Sequence, residues 1–252
     1  MRRAHSNILA LAALGGTVLF IAGCHAPGMP GPAEERPEQV RDFNVLYKQN
    51  CAGCHGEQGR SGIAVSLANP VYIAIAGKDA IAEATAKGGP GALMPAFAKS
   101  HGGFLTDQQV DVVADGIVRR WGQPSMLNGL TPPSYVATLS GDAVAGKTAF
   151  ESYCARCHRS ADAAPTTEIK GQPRNVGSLT DADFLALISD QNLRSTIIAG
   201  KPDEGMPDWR GFGPQPLSDR QVTDIVAWLS SQRKKTVDPS RQAQIELQGV
   251  KP

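Results

Sequence analysis

The pentapeptide Cys-x-x-Cys-His occurs twice, as Cys51-Ala52-Gly53-Cys54-His55 and as Cys154-Ala155-Arg156-Cys157-His158. That spacing reads as an attachment site for haem c. Two thiols a helical turn apart can each form a thioether to a haem vinyl group. The adjoining histidine is then held beneath the iron as its proximal ligand. A chain tied down in this way folds around a large apolar disc, and this one does so twice. The composition agrees: 27 glycines and 18 prolines against 6% aromatic residues predict much loop and few bulky core side chains. Two haem c groups are the cofactors expected, bound through Cys51, Cys54, Cys154 and Cys157.

The formal net charge is +1, so neither a nucleic-acid surface nor an acidic tail is predicted. A fifth cysteine, Cys24, closes an N-terminal segment of three parts: Arg2 and Arg3, an apolar run from Ile8 to Ala22, and the small residue Gly23. That is the plan of an export signal, and the run is shorter than the ~20 residues a bilayer span requires. An uncleaved anchor is the alternative. Ile21-Ala22-Gly23-Cys24 resembles the lipobox of bacterial lipoproteins, which implies removal of residues 1–23 and lipidation of Cys24. Residues 24–39 carry Pro27, Pro30, Pro32 and Pro37 with Gly28 and Gly31, the composition of a tether. With all five cysteines assigned, no pair remains for a disulfide.

Advancing the chain by 112 positions reveals a repeat. Met94-Pro95-Ala96-Phe97 falls on Met206-Pro207-Asp208-Trp209, and Leu105-Thr106-Asp107 falls on Leu217-Ser218-Asp219. The two Cys-x-x-Cys-His motifs are 103 apart, so the second copy carries about nine extra residues between Arg159 and Ser178. The expected organisation is one domain over 40–122, a linker over 123–140, a second domain over 141–235 and an extension over 236–252. Each copy predicts a closing helix with a capping box, Thr106/Gln109 and Ser218/Gln221. Apolar faces follow, Val110, Val113, Ala114, Ile117, Val118 and Trp121 in one copy and Val222, Ile225, Val226 and Leu229 in the other. A shorter helix leads into each motif, with Phe43 and Tyr47 on one side in the first copy and Gly146, Phe150 and Tyr153 in the second.

The sixth position of each iron needs a ligand, and Met94 and Met206 are the candidates beside His55 and His158. Each stands at the same place in the repeat and is followed by proline, which keeps the loop extended. Core filler is the other reading of a methionine, and the matched positions argue against it. His101 has Gly213 as its counterpart and is expected on a surface loop. His5, His25, Met29 and Met126 have no repeat counterpart. Zinc is the competing reading of paired cysteines, but it would need the two pairs to meet across separate domains, with both histidines and the Met-Pro repeat left idle.

On these motifs, CAGCH with LMPAF and CARCH with GMPDW, the chain resembles the class I cytochrome c family, and its two-domain, di-haem members in particular. The resemblance covers about 40–122 and 141–235. It implies an all-α fold of two tandem domains, each around one covalent haem. Gly146 and Phe150 match the Gly-x-x-x-aromatic pattern at which the family's terminal helices cross. Phe43 stands where the first copy's glycine belongs, so a looser or differently packed crossing is expected there. The family commonly places a proline after Cys-x-x-Cys-His to orient the histidine. The first copy has none nearby, while Pro165 or Pro173 could serve in the second. The function expected is single-electron transfer between a membrane complex, such as a quinol-oxidising one, and a downstream acceptor, at the periplasmic face of a bacterial membrane. Near-neutral domains favour a resident subunit over a charge-steered shuttle. The alternative is a haem enzyme, such as a peroxidase, or the cytochrome subunit of a periplasmic dehydrogenase. No catalytic residue is assigned.

Overall fold

The computed structural model describes residues 35–62, 64–89, 93–158, 166–169 and 171–233. The chain divides into two units, Met1–Gln39 and Val40–Pro252. In the first, the described residues hold a single 3-10 turn, Pro37–Gln39. The expected signal segment, Cys24 and most of the expected tether lie outside the described residues, as do Pro165 and the expected extension after Lys235.

In the second unit, Asp42 caps helix α1 (Phe43–Asn50) by accepting from the N–H groups of Asn44 and Val45. The chain turns at Cys51 into the short helix α2 (Ala52–His55). Helix α3 (Pro70–Lys87) opens on an Asn69 cap with Pro70 in its first turn, and it breaks at Gly77 (φ 70°, ψ 171°). Helix α4 (Asp107–Trp121) carries the predicted capping box and stops at Gly122. The second copy repeats this plan. Helix α5 (Ala143–Tyr153), capped by Asp142, leads into Cys154. Helices α6 (Ala182–Leu187) and α7 (Asp190–Ala199) occupy the stretch that a shift of 112 assigns to α3. Gly77 then falls on Ser189, the cap of α7, so the break inside α3 and the gap between α6 and α7 are the same feature. Helix α8 (Asp219–Ser231) closes the copy with its own capping box.

Among the described residues the fold is all-α apart from one antiparallel hairpin, β1 (Thr166–Ile169) with β2 (Gln172–Asn175), paired Thr166 to Asn175 through Ile169 to Gln172. It lies within the stretch that the repeat arithmetic assigns to the extra residues. An insertion there must leave the copy and return to the same place, which two short strands with Gly171 (φ 74°) between them accomplish.

The helix crossing of the first copy differs from that of the second, as Phe43 led one to expect. In the second copy Gly146 of α5 lies against α8 so closely that a Cβ would sit 1.9 Å from the Asp224 carbonyl oxygen and 2.9 Å from Trp228 Cβ. In the first copy Phe43 replaces that glycine, and the small residue has moved to the opposite helix. A Cβ on Gly116 of α4 would lie 2.1 Å from the Phe43 ring. Gly116 is the counterpart of Trp228. The large and small partners have exchanged helices, and this crossing is both differently packed and looser, with fewer close backbone approaches between α1 and α4 than between α5 and α8. Phe43 stacks with Tyr47 and Trp121 at 5.6 and 6.0 Å, while Phe150 packs on Trp228 at 4.4 Å.

Residues 123–140, expected as a linker, form a strap fastened to both copies. Tyr135 packs edge-on against Tyr72 of α3 at 6.3 Å, and its carbonyl accepts from Gln191 of α7. Arg194, 2% exposed, donates to the Ser134 carbonyl, the Thr223 hydroxyl and the Asp219 carboxylate. Asp219 also accepts from the Ser134 N–H at 2.9 Å. Arg210 reaches the Met126 carbonyl at 3.0 Å.

Candidate functional site

The backbone places the two motifs alike. Cys51 and Cys154 are each the C-cap of the entering helix, donating to Tyr47 and Phe150 carbonyls, and both are buried. Cys54 is exposed and Cys157 half-buried, and none of the four forms a disulfide. Burial, with help from Cys54, pushes the Cys51 thiol up to about 12. Burial likewise takes Cys154 up to about 12, reinforced by Cys157 and opposed by Arg156. Both thiols are therefore protonated at neutral pH.

Each histidine is oriented by a backbone carbonyl. His55 Nδ1 lies 2.8 Å from Val65 O, and His158 Nδ1 lies 3.2 Å from Gly177 O. A carbonyl only accepts, so Nδ1 carries the proton and Nε2 keeps its lone pair for a metal. Burial lowers both histidines below the usual imidazole range, against the opposing pull of those carbonyls. The neutral, ligating form is thus favoured. Val65 and Gly177 are 112 apart. The hairpin lies between His158 and its carbonyl, so it lengthens the loop without changing the contact. Neither a proline after His55 nor Pro173 makes this contact: Pro173 sits in β2, paired with Glu168.

The Met-Pro loops share a second device. Helix α3 ends at Gly88 (φ 81°) and α7 at Gly200 (φ 67°). A Cβ at Gly88 would meet Met94 O at 2.5 Å, and one at Gly200 would meet Pro207 O at 2.4 Å. Only glycine lets the loop lie against the helix end while holding a left-handed φ. The next residue pins the methionine: Gly89 N–H donates to Met94 O at 2.9 Å, and Lys201 N–H to Met206 O at 3.0 Å. Leu105 to Phe97 and Leu217 to Trp209 are matching bonds farther along. His101 is exposed, as expected.

In the second copy the predicted residues converge. Cys154, Cys157, His158 and Met206 line one cavity of about 430 Å³, walled by apolar residues such as Leu193, Ile197 and Phe212. This is the size and lining of a cofactor crevice. Three residues beyond Met206, the Trp209 indole N–H is buried and has no acceptor among the described residues, an unmet donor close in sequence to the cavity wall residues Met206 and Pro207. These residues fit haem. Two wall residues, Ala64 and Val65, come from the first copy, a contribution that sequence reasoning missed because neither residue type marks a site. In the first copy Met94 is half-buried in the matching loop and His55 is buried. Among the described residues no group of three or more His, Cys, Asp or Glu side chains could jointly hold a metal ion, so the paired cysteines do not meet as a zinc site. No helix among the described residues is long and apolar enough to cross a membrane.

Two helical repeats, each with a Cys-x-x-Cys-His turn under a Met-Pro loop, define a tandem class I cytochrome c. The model of the cytochrome c oxidase, cbb3-type, subunit III family matches residues 38–115 and 141–229, and the chain belongs to that family. It is 30% identical over 199 residues to the cbb3-type cytochrome c oxidase subunit CcoP of Azospirillum sp. (strain B510), which covers 73% of this chain and 58% of that protein. The chain thus spans somewhat over half the length of that relative. It is also 30% identical over 93 residues to cytochrome c-555 of Chlorobaculum thiosulfatiphilum, covering 37% of this chain and 99% of that one. Among solved structures, the Kuenenia stuttgartiensis reducing HAO-like protein complex Kustc0457/Kustc0458 superposes with a TM-score of 0.42 at 18% identity, over 82% of this chain and all of that one.

Proposed function

We propose that this cytochrome carries one haem c per repeat and relays single electrons between a membrane complex and a downstream acceptor. In this reading the domains are 40–122 and 141–235. Cys51 and Cys54 attach one haem and Cys154 and Cys157 the other, with His55/Met94 and His158/Met206 as axial pairs. Haem c supplies a one-electron iron couple, and a methionine ligand raises its potential relative to two histidines. The protein's share is positional. Val65 and Gly177 carbonyls fix the histidine rings, Gly88 and Gly200 seat the methionine loops, and the apolar wall excludes water.

The observation that carries this reading is the doubled loop geometry, Gly89 N–H to Met94 O and Lys201 N–H to Met206 O, which fastens both methionine loops to their helix ends in the same way and supports closure of both sites. Two closed sites suit outer-sphere transfer and leave no open position for turnover, so the chain is an electron carrier rather than an enzyme. The kinship with an oxidase subunit supports residence in a larger complex, with a quinol-oxidising complex or dehydrogenase as donor and a terminal oxidase as one acceptor. Lipidated Cys24 and the 24–39 tether would hold it at the periplasmic face of a bacterial membrane.

Three measurements test this. The reduced protein is expected to bind little carbon monoxide, and stoichiometric binding would overturn the closed-site reading. Purification in mild detergent is expected to bring partner redox subunits along, whereas recovery only as a free monomer would refute residence in a complex. Mass spectrometry of the mature N-terminus is expected to find acylated Cys24, and an intact Met1 or unmodified Cys24 would exclude the anchor.

A further inference from the structure

The first copy reaches into the second at one buried side chain. Asn69, 4% exposed, does two things at once. Its Oδ1 accepts from Val71 and Tyr72 N–H at 2.9 and 3.3 Å, capping α3. Its Nδ2 crosses to the second copy and donates to the carbonyls of Ala199 and Gly200 at 2.9 and 3.2 Å. Those carbonyls end α7. The following residue, Lys201, exchanges both backbone hydrogen bonds with Met206, at 3.0 and 3.1 Å. Gly200 itself is the seat on which Pro207 rests. An unbroken chain of contacts therefore runs from the first copy's amide to the predicted iron ligand of the second.

The arrangement is one-sided. The repeat counterpart of Asn69 is Asp181, which caps α6 by accepting from Phe184 N–H and, as a carboxylate, has no N–H to donate. The same short segment of the first copy also supplies Ala64 and Val65 to the wall of the second cavity, and Val65 O is the acceptor that orients His55.

We propose that Asn69 is a positioning residue for the second site: its amide, given by the first repeat, holds the end of α7 so that the Met206 loop stays closed. The inference rests on the two-haem, His/Met reading above. Its consequence is directional coupling. Whatever shifts the 64–69 segment changes how firmly Met206 is held, while among the described residues Asp181, the counterpart of Asn69, makes no such bond to the end of α3.

The helix-cap role and the positioning role separate by substitution. Asn69→Ser and Asn69→Asp both retain a capping oxygen, and both lose the amide donor. The probe is imidazole, which competes with methionine for the iron, titrated against the oxidised full chain and read in the visible spectrum. The substitutions remove both amide bonds, which share one nitrogen, and one neutral hydrogen bond, about 1 kcal/mol or about fivefold, is the smaller effect to expect. Imidazole is therefore expected to bind one of the two sites at least about fivefold more tightly in Asn69→Ser. In a Met206→Ala background that effect should vanish, and in a Met94→Ala background it should persist. The proposal is overturned if Asn69→Ser and Asn69→Asp titrate as the unsubstituted protein does, which would leave Asn69 as a cap and nothing more. An equal effect at both sites, or persistence in Met206→Ala, also overturns it. The underlying reading fails separately and visibly: a pyridine haemochrome count below two per unsubstituted chain removes both.

Discussion

At the scale of single residues, each site is built by backbone as much as by side chain. His55 and His158 take their orientation from carbonyls, and Met94 and Met206 are pinned by the N–H of the residue after a helix-ending glycine. Met94→Ala and Met206→Ala should each leave haem covalently attached, since the thioethers are untouched. Each should remove about half of the weak far-red absorption characteristic of an iron–methionine sulfur bond, and the double variant should remove it all. Haem content by pyridine haemochrome and the oxidised spectrum together check this; an unchanged far-red band in both single variants would exclude the ligand assignment. The cysteines, histidines and methionines were legible because their identity and spacing carry the chemistry. Val65 and Gly177 were not, because a carbonyl belongs to every residue type. Only the fold says which one faces the imidazole.

At the scale of elements, the exchanged pair at the helix crossings sets two different tolerances. Gly146 approaches backbone, the Asp224 carbonyl, whereas Gly116 approaches the ring of Phe43. Backbone cannot step aside, but a ring edge can be trimmed. Gly146→Ala is therefore expected to cost more than Gly116→Ala, with overpacking of this kind amounting to about 1–3 kcal/mol. Phe43→Leu should recover most of the loss in Gly116→Ala, and Trp228→Ala should recover little in Gly146→Ala. Thermal unfolding of the four variants decides it; equal costs with equal rescue would contradict the asymmetry. Helix positions, capping boxes and apolar faces were readable from periodicity and caps. The first copy's crossing, expected to be looser or differently packed, is both, but its exchanged small residue, Gly116, was not legible because the glycine pattern names only the first helix. The hairpin was invisible as a structure because ten short, polar residues carry no strong alternation.

At the scale of the whole molecule, the strap and Asn69 join the copies into one body over Val40–Pro252. Its most demanding tie is Arg194, buried and held by Ser134, Thr223 and Asp219. Arg194→Met would leave the Ser134 carbonyl and Thr223 hydroxyl short of a donor and leave Gln191 as the strap's remaining hydrogen bond to α7 among the described residues. A loss of about 2 kcal/mol or more is expected in urea unfolding, and a loss under about 0.5 kcal/mol would show that the strap is held elsewhere. With the ties intact, the described body should unfold in a single transition, calorimetric and van't Hoff enthalpies agreeing. Two resolved transitions would mean that the copies are energetically independent.

What the sequence determined by itself is the motif set and its duplication: two Cys-x-x-Cys-His turns, two Met-Pro loops at a fixed repeat offset, and capped amphipathic helices to enclose them. These follow from local rules, since thiol spacing, capping boxes and 3.6-residue periodicity are properties of short segments. What the tertiary structure alone decided is how the copies depend on each other. Asn69 reads as an ordinary helix cap in sequence, and the 123–140 strap reads as a linker. Their cross-copy bonds join residues up to 131 positions apart, and such contacts are set by packing, where no local pattern records them. The same holds for the second cavity's wall, to which the first copy contributes Ala64 and Val65. Equivalent repeats in sequence become inequivalent sites in space because each packs against a different neighbour.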